Sequence, residues 1–155
     1  MKLKFRKSQP VFTIIVATII CFCACSKDHD NPDNNSIKFS TSLDQSQETP
    51  PTGEAGTGSC TATYDKNTNE LKYTLTWSGL TGAPTAMHFH KADIGEPGDV
   101  EIPITGFAAS TSGTLEASAI VDEDEEEDLL ENKFYVNIHT AAHTGGEIRG
   151  QMIKQ

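Results

Sequence analysis

From Ser36 onward the chain repeats one pattern, a short run of alternating apolar and polar residues followed by a cluster of Gly, Pro, Asn or Asp. In "ELKYTLTW", Leu71, Tyr73, Leu75 and Trp77 share one side and Lys72, Thr74 and Thr76 the other, the period of a half-buried strand. "SIKFSTSL", "SCTATYD", "TAMHFHK", "DVEIPIT", "GTLEASAIV", "KFYVNIHT" and "GEIRGQMI" continue the series. "KNTN" between two of these runs reads as a hairpin turn, and "QETPPTGEAGTG" as a longer turn region. Short strands at close spacing without a sustained helical period predict an all-β fold, an antiparallel Greek-key sandwich or barrel of about eight strands. A single helical turn is expected over Asp128–Asn132. The acidic run before it, "DEDEEED", reads as a solvated loop whose charges favour the amino end of that turn. It lacks the spaced oxygen ligands of a calcium loop.

The amino end breaks this pattern. Lys2, Lys4, Arg6 and Lys7 precede an apolar run from Val11 to Ala24, too short for a bilayer span and arranged as in a signal peptide. Its end, "FCAC" then "SKD", resembles the lipobox of bacterial lipoproteins. That resemblance implies cleavage before Cys25, lipidation of Cys25, and attachment to a membrane through several acyl chains. Ser26, Lys27 and Asp28 resemble signals that direct such proteins to the outer face of a Gram-negative outer membrane. Residues 1–24 are therefore expected as a signal peptide, 25–36 as a flexible Asp- and Asn-rich tether, and 37–155 as the folded domain.

Without residues 1–24 the chain carries eight basic against twenty-two acidic residues, a formal charge of −14. Such a surface disfavours nucleic acid and anionic headgroups and suits cations or basic partners. Of four cysteines, only Cys60 falls in the folded part, so no disulfide framework exists within one mature chain, and Cys60 reads as a small buried hydrophobe.

Candidate chemistry lies in the histidines. Met87 and Phe89 take the core side of "AMHFH", so His88 and His90 point together from the other side. In "KFYVNIHT", Phe134, Val136 and Ile138 are core candidates, which leaves Tyr135, Asn137 and His139 opposite. Residues two apart on a strand lie about 6.5–7 Å apart, a spacing from which two imidazoles can reach one ion. If the strand of His139 is a neighbour, three nitrogens converge, with His143 as a candidate fourth ligand. Neutral imidazoles suit copper and zinc. The alternative role is to hold the adjoining turns by hydrogen bonds. Arg149 and Glu147, two residues apart, are expected to form an ion pair.

"QETPPTGEAGTGSCTATYD", "LKYTLTWSGLTGAPTAMHFHKADIGEPGDVEIPI" and "LLENKFYVNIHTAAHTGGEIRGQM" together resemble the chordin-type (CHRD) domain. The resemblance rests on Glu48, Pro50 and Pro51, on Gly79 and Leu80, on His88 and His90, on Tyr135 to Thr140, and on Gly146 to Gln151. It implies a β-domain found in chordin and in many exported bacterial proteins, acting as a binding or structural module with an undefined protein or glycan partner. A second, partial resemblance is to copper-zinc superoxide dismutase, through the order of His88, His90, His139 and Arg149. It implies copper ligands and a substrate-guiding arginine on a Greek-key barrel, hence a copper-dependent redox protein as the alternative function. The bridging histidine and the zinc histidines of that family have no counterpart, because no histidine lies between His90 and His139. "GEAGTGS" lacks the lysine of a phosphate loop, no Ser-His-Asp signature stands out, and Trp77, on a core face, is no platform for sugar.

Overall fold

The computed structural model describes residues 35–155; the expected signal peptide, Cys25 and nearly all of the tether lie outside them. Nine strands form: β1 (Ser36–Asp44), β2 (Thr57–Asp65), β3 (Glu70–Ser78), β4 (Pro84–Lys91), β5 (Asp99–Ile104), β6 (Gly113–Ile120), β7 (Phe134–Thr140), β8 (Ile148–Gln151) and β9 (Ile153–Lys154). They make one antiparallel sheet in the order β5-β4-β7-β8-β1-β2-β3-β6, curled into a nearly closed barrel, with β9 paired to β1. The connections β3 to β4 and β6 to β7 cross between strands that are not neighbours, the Greek-key feature expected from the strand count.

Alternation sorts the inward side chains as the sequence implies. Leu71, Tyr73, Leu75 and Trp77 of β3, Met87 and Phe89 of β4, and Phe134, Val136 and Ile138 of β7 all enter the core. Trp77 also donates its indole N–H to the Ser110 carbonyl at 2.9 Å, so its polar edge is satisfied inside. Cys60 is fully buried among them, and loss of water pushes its thiol up to about 12.

The acidic run departs from expectation. It forms the helix α1 (Glu123–Leu130), beginning earlier and running longer than the turn anticipated over Asp128–Asn132. Leu129, fully buried, and Leu130, packed against the core, pin one side. Four acids in the first turn complement the positive end of the helix, and Lys66, Lys91 and Lys133 pair with its outer carboxylates. Asn132, at φ 63°, ends the helix in the left-handed conformation that asparagine tolerates.

Candidate metal centre

The centre lies on the outer surface of the barrel where β4, β7 and β8 run side by side. Register places His90 opposite Tyr135, and Tyr135 in turn opposite Gln151; one row along, Asn137 lies between His88 and Arg149. His139 stands opposite Ala86, one further row on. This side is polar by alternation, yet every residue of β7 and β8 is buried. Loops lie over it and are bonded to it. Gln151 donates to the carbonyls of Ala92 and Asn132, and Arg149 to that of Glu96.

Under those loops three histidines meet. His88, His90 and His139 each offer one ring nitrogen, and the three atoms lie within 4.8 Å of one another. The loops also set the tautomers. A carbonyl can only accept, so Nδ1 of His90 donates to Gly98 O at 3.1 Å and Nδ1 of His139 donates to Thr144 O at 3.0 Å. Each ring is left with an Nε2 lone pair. His90 Nε2 is buried with no hydrogen-bond partner, while His139 Nε2 lies 3.2 Å from Nδ1 of His88. Ligating histidines characteristically tie their second nitrogen to a carbonyl or carboxylate in this way.

Desolvation lowers the basicity of all three rings. On His90 the charges of His88 and Arg149 add to it, and on His139 those of His88 and His90, against the opposing hydrogen bonds to Gly98 and Thr144. Neutral rings are the form that donates to a metal.

Gly98 anchors this arrangement. Its carbonyl takes the His90 proton while its N–H donates to Tyr135 Oη at 3.0 Å. A Cβ here would lie 1.9 Å from the Lys91 carbonyl oxygen, so only glycine fits. Tyr135 itself stacks on His90, with centroids 4.9 Å apart and planes 7° apart, and carries the Arg149 guanidinium 3.5 Å from its ring centroid.

Other candidate residues lie apart from the three. His143 Nε2 is 3.0 Å from Glu54 Oε1 and is not a member of the cluster. The ion pair expected between Glu147 and Arg149 does not form. Glu147 precedes β8, and its fully buried carboxylate accepts from the Thr81 N–H and from the hydroxyls of Thr81 and Thr140. Burial pushes that carboxyl up, but these bonds outweigh it and hold it low. Arg149 faces Tyr135, a carbonyl and an amide instead.

Sequence reasoning did not single out Gly98 or Thr144, and it marked Glu48 only as part of the family resemblance, not as a member of the site. Tyr135 carried a signal, as an aromatic residue on the polar side of its strand. Glu48 is buried, its Oε1 has no partner, and desolvation, only partly offset by Arg149, raises its carboxyl to about 7.

The CHRD-domain profile matches residues 39–152, which spans almost all of the described sheet. The chain belongs to the CHRD-domain family. No curated protein and no solved structure matches it.

Proposed function

We propose that this CHRD domain is a metal-binding module of the cell envelope, holding one copper or zinc ion through Nε2 of His90, Nε2 of His139 and a ring nitrogen of His88. The carrying observation is the unpartnered Nε2 of His90, buried beside the other two ring nitrogens. An orphaned lone pair inside a protein is costly, and an ion would satisfy it together with its two neighbours. The chain's acidic balance favours accumulation of a cation around it. Whether a bound ion turns over superoxide, as the dismutase-like alternative requires, is decided by comparing the copper-loaded protein with free copper.

The test is elemental analysis of the untagged chain after exposure to copper and zinc and removal of excess ions. One equivalent is expected, lost in His90→Ala. A folded chain that retains none would assign the histidines to loop fixation alone.

Attachment to the envelope through a lipidated Cys25 is the second part of the proposal, supported by the basic, apolar and "CAC" order of the amino end. Cys25→Ala is expected to move the protein out of the membrane fraction. Unchanged fractionation would remove the lipid anchor from this reading.

A further inference from the structure

We infer that the three-histidine centre takes singly charged cuprous copper in preference to zinc or cupric copper, because Arg149 holds a buried positive charge one aromatic ring away from His90. This rests on the metal-binding reading above and adds the identity and charge of the ion.

The ligand set is neutral. It comprises three imidazoles, with no carboxylate or thiolate in the group to compensate a second positive charge. The fixed charge that acts on His90 is a cation, Arg149. Arg149 is 3% exposed, and among the described residues no carboxylate oxygen lies within 4 Å of its guanidinium nitrogens. Its Nη1 donates to Glu96 O at 2.8 Å and an Nη2 hydrogen goes to Gln151 Oε1 at 3.2 Å, both uncharged acceptors. Glu48 and Glu96 act on it only from farther away. A buried cation is normally paired, so its retention here without a close counter-ion calls for a reason.

The strand order supplies the geometry. β7 lies between β4 and β8, so Tyr135 receives His90 from one side and Arg149 from the other. Tyr135 thus lies between the two, and the hydrogen bonds of Arg149 to Glu96 O and Gln151 Oε1 hold its charge at that place. Repulsion between Arg149 and the ion is twice as large for a divalent ion as for a monovalent one at the same place.

The test compares competition titrations of the untagged chain with cuprous copper, under reductant, and with zinc. It adds the copper reduction potential in the wild type, Arg149→Met and Arg149→Lys. The wild type is expected to bind cuprous copper more tightly than zinc. Arg149→Met is expected to lower the potential by about 59 mV, a tenfold change in the ratio of cuprous to cupric affinity for a one-electron couple, and Arg149→Lys to stay near the wild type. A purely structural arginine would weaken both oxidation states together and leave the potential unmoved, which overturns the inference. Tighter binding of zinc by the wild type overturns it without recourse to any variant, should Arg149→Met fail to fold. Stoichiometric copper with an unmoved potential removes this inference alone, whereas a folded wild type that binds no ion removes the metal reading with it.

Discussion

The two halves of the barrel's outer surface are built by the same alternation and meet opposite fates. On β2, β3 and β6, Thr74 lies between Thr61 and Glu116, and Lys72 between Thr63 and Ser118, all at least partly open to solvent. On β4, β7 and β8 the corresponding rows carry His88, Asn137 and Arg149, then His90, Tyr135 and Gln151, and loops cover nearly all of them. Water satisfies polar groups on the first half, so their identity matters little. On the second half each group must find its partner in the protein, and the buried polar atoms left without one there stand out. His90 Nε2, Glu48 Oε1 and Asn137 Oδ1 all belong to the covered half.

The sharpest way to break this contrast is to truncate one polar residue in each half. Gln151→Ala removes bonds to Ala92, Asn132 and Arg149, leaving the buried guanidinium and two half-covered carbonyls without that partner. It should cost about 2–4 kcal/mol in denaturant unfolding, whereas Thr74→Ala should stay within about 0.5 kcal/mol. Equal losses would show that the covering loops confer no special demand.

A smaller effect is expected at Glu48. Its folded-state carboxyl sits at about 7 against an ordinary 4.5, chiefly through desolvation, so the folded chain binds this proton more tightly than the unfolded one. Its contribution is then most favourable below about 4.5, and it declines as pH rises toward about 7. Glu48→Gln should be more stable than wild type at pH 8 by about 1–3 kcal/mol, with the gap closing toward pH 4.5. A gap independent of pH would mean that Glu48 is not a desolvated acid.

Much of this architecture was legible before any coordinates. The alternation of β3, β4 and β7 identified inward and outward residues, and it placed His88 with His90 and Tyr135 with His139. What it could not report was whether a loop lies over an outward side chain, because alternation records only direction relative to the core. The helix α1 was hidden for a related reason: its acids show no apolar period until Leu129 and Leu130, so the run looked like a loop. Glu147 and Arg149 seemed natural partners at a spacing of two. Glu147 nevertheless found Thr81, a residue 66 positions away that only the closing of the barrel brings near. The tautomers of His90 and His139 were equally out of reach, since they depend on backbone carbonyls of Gly98 and Thr144 that no side-chain pattern encodes.

The depth of Cys60 bears on how such a protein would coexist with copper if the proposed centre takes it. Cuprous and cupric ions catalyse thiol oxidation, and an accessible cysteine near a copper centre would be consumed or would compete for the ion. Cys60 is sealed from solvent and resists ionisation up to about 12, so it offers no thiolate to either process. Among the described residues it is the lone cysteine, so no disulfide forms within the barrel itself.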